Sequence, residues 1–204
     1  MTGREYRGMS AAERVADRRE RLINAAYGLF ANPGFHATTI ERLCSTAHIS
    51  NRAFYECFSG REELMRAVYE RCVDDTLNAV GAAIENAPPT LEGRIVAGIT
   101  EYVRYVTLDV RRARIMHLEV RRAGDVLSGS RQKAVAGFTH MIESSLKGLQ
   151  EELPAELHLL ALALIGALTE LLIEWVLSDD RPEKDLLVAT AVHVFRRSFQ
   201  TDPT

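Results

Sequence analysis

Apolar positions recur along this chain at helical spacing. Leu22, Ala25, Ala26, Leu29 and Phe30 stand at i, i+3, i+4, i+7 and i+8, one face of a helix. Ser10-Ala11-Ala12-Glu13 reads as the capping box that opens this helix, and Asn32-Pro33-Gly34 stops it. Thr38-Thr39-Ile40-Glu41 is a second capping box, predicting a short helix that ends near Ala47. After the turn His48-Ile49-Ser50, Ser50 caps a helix from Asn51 to about Phe58, and Ser59-Gly60-Arg61-Glu62 caps a long one reaching about Asn86. Pro88-Pro89 cannot continue that helix and marks the clearest boundary. Beyond it the pattern predicts helices over about 90–106, 109–123, 130–150, 155–177 (after Pro154) and 182–200. No alternating β-branched run bounded by turn signals occurs, so the expected fold is all-α with about nine helices. The expected domains are 1–60, a connecting long helix over 61–86, and a C-terminal helical body over 87–204.

Composition narrows the function classes. At 204 residues and 47% hydrophobic content the chain can bury a sizeable core. Its net charge of -3 is uneven: residues 1–55 carry eight Arg against five acidic side chains, a mildly basic head on an acidic body. Cys44, Cys57 and Cys72 are odd in number and lack CxxC spacing, so neither a disulfide framework nor a metal site is expected, and no cofactor. The charged start "MTGREYRGMSAAERVADRRERL" has no apolar core, so no secretory leader is expected and the cytoplasm is the expected compartment. The run "LLALALIGALT" from Leu159 is short and closes on Glu170 and Glu174, which predicts a buried helix and no membrane partner. There is no GxSxG, HExxH, P-loop or GxGxxG pattern, so no enzyme and no catalytic residue is expected.

The short helix after Ser50 has two unlike sides. At ~100° per residue, Asn51, Arg52, Tyr55 and Glu56 fall within an arc of roughly 140°, opposite Ala53, Phe54, Cys57 and Phe58. A capped helix, a three-residue turn and such a second helix make a helix-turn-helix, whose second helix enters the DNA major groove. Asn and Arg there can pair with adenine and guanine edges, while Ser50 and Tyr55 suit phosphate oxygens. Arg4, Arg7, Arg14, Arg18, Arg19 and Arg21 interleave with Glu13, Asp17 and Glu20, which predicts a solvated, salt-pairing surface rather than an arm laid on DNA. Cys57 faces inward and reads as a small buried hydrophobe, not a redox switch.

Residues from about 18 to 64 resemble the DNA-binding domain of the tetracycline-repressor (TetR) family. The resemblance is carried by "RLINAAYGLFANPGF", the Thr38-Thr39-Ile40 helix start, "AHIS" and "FYECFSGREEL", about a quarter of the chain. His48 replaces the usual turn glycine, Arg52 stands where Gly or Pro is common, Cys57 replaces a Tyr or His, and Glu56 brings a negative charge to the reading arc. The candidate DNA contacts are Thr38, Thr39, Arg42, Ser50, Asn51, Arg52, Tyr55 and Arg61, the last matching the family's phosphate-contacting lysine by position.

The resemblance implies a transcriptional regulator, a repressor on a near-palindromic double-stranded operator, acting as a homodimer through its last two helices. It also implies release by a small apolar or amphipathic ligand held in the C-terminal body. Candidates for that pocket are aromatic or polar groups on otherwise apolar helices: Tyr102, Tyr105, Met116, His117, Glu119, His140, Met141, Glu170, Glu174 and Trp175. The helix over 155–177 is apolar nearly all round, with Ala161, Ala163, Gly166 and Ala167 allowing close approach, so it is expected to be covered on both sides. The alternative reading is a helical protein-interaction module whose helix-turn-helix is only a scaffold.

Overall fold

The computed structural model describes residues 10–147, Leu149 and 156–199. Arg4, Arg7, Gln150, Pro154, Ala155 and Gln200 of the expected elements lie outside the described residues. Every regular element among those described is a helix, and the chain divides into two compact units between Val68 and Tyr69. That division falls inside the long helix rather than at either of its ends.

In the first unit, α1 (Ala11–Leu29) opens on a complete capping box. The Glu13 N–H donates to Ser10 Oγ at 3.1 Å and the Ser10 N–H donates back to the Glu13 carboxylate at 2.6 Å. These bonds hold the Glu13 carboxyl below the usual carboxylate range. A π turn, Phe30–Gly34, ends α1, and Gly34 takes φ 115°, a conformation open to glycine at little cost. Thr39 caps α2 (Ile40–Ala47) and Ser50 caps α3 (Asn51–Tyr55), by accepting from Arg42 N–H at 3.2 Å and Ala53 N–H at 3.2 Å.

The third helix is shorter than its periodicity predicts. The Phe54 carbonyl accepts from both Cys57 and Phe58 N–H at 2.9 Å, a tightening that ends the helix yet still brings both phenylalanines inside. α4 (Arg61–Glu85) follows. Its start is organised differently from the expected Ser59 cap: the Glu63 carboxylate folds back and accepts from the Ser59 N–H at 2.7 Å and hydroxyl at 2.8 Å. Leu22, Ala26, Phe30, Leu43, Phe54, Leu64 and Met65 are fully enclosed and form the core of this unit. Each such large apolar side chain contributes ~1.5–3 kcal/mol by leaving water.

The second unit contains the rest of α4, α5 (Leu91–Leu108, capped by Thr90), α6, α7 (Ser128–Leu146), α8 (Leu157–Leu177) and α9 (Lys184–Phe199). α6 is composite: Val110–Ala113, a π segment Arg114–Glu119, and Val120–Arg122. Asp109 caps it, accepting from Arg111 N–H at 2.9 Å. Six consecutive residues from Ile115 to Val120 are buried, so α6 is the helix surrounded on all sides.

α8 behaves otherwise. It packs on α7 and α9 but leaves Leu159, Leu162, Ala163, Gly166 and Leu177 exposed. At 21 residues it is longer than the apolar run suggested, and it is the one helix among those described long and apolar enough to cross a membrane by length and composition. Polar ties fix its neighbours: Arg121 to Glu170 at 3.0 Å, His158 to Glu143 at 2.7 Å, and the Trp175 indole N–H donating to the Pro182 carbonyl at 3.1 Å.

Candidate nucleic-acid interface and body cavity

His48 closes α2 in the left-handed region, φ 54° and ψ 50°, so the turn keeps the glycine-like conformation although the residue is not glycine. Its N–H and that of Ile49 return to the Ser45 and Cys44 carbonyls at 3.2 and 3.0 Å. The Arg21 guanidinium donates to the Ala47 and His48 carbonyls, placing a cation at the negative end of α2. Arg19 donates to the Cys57 carbonyl at 2.9 Å and lies 4.1 Å above the Phe58 ring, and Arg18 pairs with Glu56 at 2.6 Å. Three of the α1 arginines expected to form a solvated, locally paired surface are therefore long-range staples that hold the turn and α3. Arg21 also keeps a local pairing, with Asp17 at 3.5 Å. The spacing carried a signal: Arg18 and Arg19 stand four residues before Leu22 and Ile23, on the extension of the buried stripe.

Between these staples a polar face is left open. Thr39, Arg42, Ser50, Asn51, Arg52 and Tyr55 are all exposed, the Arg52 side chain to 91%. Glu56, which alone would repel phosphate, is matched on both oxygens, by Arg18 and by Arg52 Nε at 3.6 Å. The local charge of that trio is positive, not negative.

Two of the expected contacts bond within the chain. Thr38 is fully buried, its hydroxyl donating to the Gly34 carbonyl at 2.8 Å and the Leu29 carbonyl at 3.1 Å, so it cannot reach DNA. Arg61 donates to the Thr38 carbonyl at 2.6 Å and lies 5.2 Å from the Phe35 ring, bracing the approach to α2. Burial pushes the Cys44 and Cys57 thiols up, and Cys72 to about 12.

The second unit holds a partly open cavity of about 60 Å³ between α4, α5, α7 and α8. Of the expected pocket residues only Tyr102 and Met141 line it. His117, in the π segment of α6, stands behind Tyr102 with its Nε2 3.4 Å from the phenol oxygen. Complete burial keeps His117 neutral, its pKa lowered to about 3, and pushes the Tyr102 phenol up.

The remaining candidates have other partners. Met116 receives the Thr76 hydroxyl at 3.5 Å, Tyr105 lies under Arg112 at 4.0 Å, and the buried Glu119 pairs with Arg122 at 3.0 Å and Arg114 at 3.9 Å. His140 lines an open groove between α7 and α8, Glu170 is on the surface with Arg121, Glu174 is exposed, and Trp175 closes the α8–α9 connection. Arg94 and Gly98, which were not among the candidates, do line the cavity. Their positions four apart, in line with Tyr102 a further four on, were the available signal.

Residues 22–68 match the sequence model for "Bacterial regulatory proteins, tetR family". Over 100 residues the chain is 27% identical to the HTH-type transcriptional activator FasR of Mycolicibacterium smegmatis, covering 49% of this chain and 45% of that protein. Over 111 residues it is 30% identical to the HTH-type transcriptional regulator RutR of Escherichia coli, covering 54% and 46%. The matches thus span less than half the length of either relative. In fold it is similar to the transcriptional regulator FadR of Bacillus subtilis, solved in complex with stearoyl-CoA, with TM-score 0.74, 16% identity, and 89% and 99% of the two chains covered. A tetR-family regulatory protein from Rhodococcus RHA1 gives TM-score 0.67 at 23% identity, over 91% and 98%.

Proposed function

We propose that the chain, whose residues 22–68 match the tetR-family model, is a DNA-binding transcriptional regulator of that family and not an enzyme, a repressor binding a near-palindromic operator as a homodimer. The observation that carries this reading is the open face of Thr39, Arg42, Ser50, Asn51, Arg52 and Tyr55. It stands on a turn whose carbonyls are held by Arg21 and whose one acidic neighbour is matched by Arg18 and Arg52. Asn51 and Arg52 read base edges, while Thr39, Ser50 and Tyr55 position the helix on phosphates. Arg61 acts indirectly, by fixing the start of α2.

We assign residues 1–60 to DNA binding, 61–86 to the connecting helix and 87–204 to ligand binding and dimerisation. The second copy covers the exposed apolar stripe of α8 and its continuation on α9, where Leu159 is 61% and Leu186 59% exposed. A partner subunit, not lipid, then accounts for the apolar length of α8, and the protein acts in the cytoplasm where its DNA is. Two such heads reach successive major grooves ~34–36 Å apart. The cavity admits a small apolar or amphipathic ligand, as the stearoyl-CoA of the Bacillus subtilis relative suggests. Val80 and Ile84, on the same helix as Leu64 and Met65 of the first unit's core, line it, so an occupant acts on α4 directly.

Selection of genomic fragments by the purified protein at about 150 mM salt tests the reading, with Arg52→Ala as control. Enrichment of a palindromic site that the variant loses is the expected result. Absence of any enriched site would favour a protein-docking module, and enrichment unchanged by Arg52→Ala would place the reading face elsewhere.

A further inference from the structure

The cavity in the second unit has a length, a width and two unlike ends. On α5 its lining residues Arg94, Ile95, Gly98, Ile99 and Tyr102 recur at i, i+1, i+4, i+5 and i+8. That is one face two turns long, ~12 Å at 1.5 Å per residue. α7 runs the other way along it, so that Phe138 meets the Tyr102 ring edge-on at 5.4 Å while the Ser145 carbonyl accepts from the Arg94 guanidinium.

The free volume is about 60 Å³ and its lining is almost wholly apolar side chain. The width is set partly by backbone approach: a Cβ on Gly98 would stand 3.2 Å from Ile84 Cδ1, so α4 and α5 are already as close there as side chains allow. Beside that close approach the slot is lined by apolar side chains along α5, which suits an unbranched chain.

The ends differ in exposure and chemistry. Arg94, Gly98, Ile142 and Ser145 are only half-buried, whereas Tyr102 and Phe138 are buried and His117 stands behind Tyr102. The open end therefore carries a permanent cation with N–H groups beyond the one given to Ser145, and the closed end is a wall of rings. The side chains between are those of Val, Ile, Leu and Met, with Gly98 the one residue without a side chain, an apolar wall that water does not hydrate well.

We infer that this slot takes a single-chain amphiphile with an anionic head, a carboxylate or a phosphate-bearing carrier of an acyl group. The head is held at Arg94 and the tail runs inward along α5 to a stop at Tyr102 and Phe138. This rests on the ligand-responsive reading above and deepens it: Arg94 selects the charge, and the Tyr102–Phe138 wall measures the chain.

The test is calorimetric titration of the full chain with straight-chain carboxylates from hexanoate to stearate, the matched alcohols, and the matched acyl-CoA thioesters. Affinity is expected to rise ~4-fold per added methylene, then to fall beyond one chain length, with carboxylates or thioesters ahead of alcohols by about tenfold. Whichever of the two anionic series is the tighter identifies the source of the head group. Arg94→Gln should erase the advantage over alcohols and Arg94→Lys restore part of it, while Phe138→Ala should move the length cutoff to longer chains. The inference is overturned if alcohols bind as well as the anions, if no cutoff exists, or if Phe138→Ala leaves the cutoff in place. Operator release measured alongside separates the two claims: a cutoff and an Arg94-dependent preference without release would sink the ligand-responsive reading and leave the slot's chemistry standing.

Discussion

Replacing Thr38 by valine keeps the shape of the side chain and removes one hydroxyl, in a place where the hydroxyl is fully enclosed and serves the Gly34 and Leu29 carbonyls. The Gly34 carbonyl, the nearer of the two at 2.8 Å, is buried with the hydroxyl at the end of the π turn. Leaving a buried acceptor without its donor costs ~1–3 kcal/mol. For a chain of this size each kcal/mol lowers Tm by ~2–4 °C, so a fall of ~4–8 °C is expected for Thr38→Val at a central cost of about 2 kcal/mol. Thr38→Ser, which retains the donor, should lose much less. Unfolding followed by circular dichroism supplies the Tm, and fluorescence anisotropy with a selected operator, well below the transition, supplies the DNA affinity. Both variants should bind DNA like the parent. A valine variant with the parent's Tm and operator binding weakened by about tenfold would refute the reasoning and return Thr38 to the contact face.

Two further outcomes follow from the backbone and from burial. His48→Gly relieves the left-handed residue at the end of α2, where an L side chain costs ~1–2 kcal/mol against glycine; part of this is offset by the greater freedom of glycine in the unfolded chain, so a net gain of up to ~1 kcal/mol is expected from denaturant titration. A loss of stability would mean the His48 side chain makes a compensating contact. His117 titrates near 6.5 when unfolded but only at about 3 when folded, because burial excludes its charged form. Below pH 6.5 the unfolded state therefore binds a proton that the folded state does not, and stability falls by ~1.4 kcal/mol per pH unit from this group as pH drops from 6.5 toward 3. Comparing the pH dependence of unfolding for the parent and His117→Phe checks it: the variant's slope in that window should be shallower, and equal slopes would show that His117 is not buried neutral.

The first unit was the more legible, because its signals are local. Caps at Ser10 and Ser50, the left-handed His48, and the division of α3 into a polar arc and two inward phenylalanines all act within a turn or two of chain, although the box read from Thr38 is capped one residue later, by Thr39. Periodicity overran at α3, since Phe58 keeps the helical spacing while its backbone has already left the helix. The body was less legible. Its pocket candidates were chosen by residue type, and type does not say whether Trp175 meets a ligand or the Pro182 carbonyl, or whether Glu119 meets water or two arginines.

Local sequence sets the helices and the polar character of the exposed face of α3, since these depend on φ, ψ and side-chain order along one segment. Which polar groups turn inward was decided only by tertiary structure. Arg18 meets Glu56 and Arg19 meets the Cys57 carbonyl across 38 residues of chain, and Arg94 meets the Ser145 carbonyl across 51. An arginine on a helix surface has the same local preferences whether water or a carbonyl faces it. Its role is set by what the fold brings opposite, and so are the stapling of the turn and the charge at the mouth of the slot.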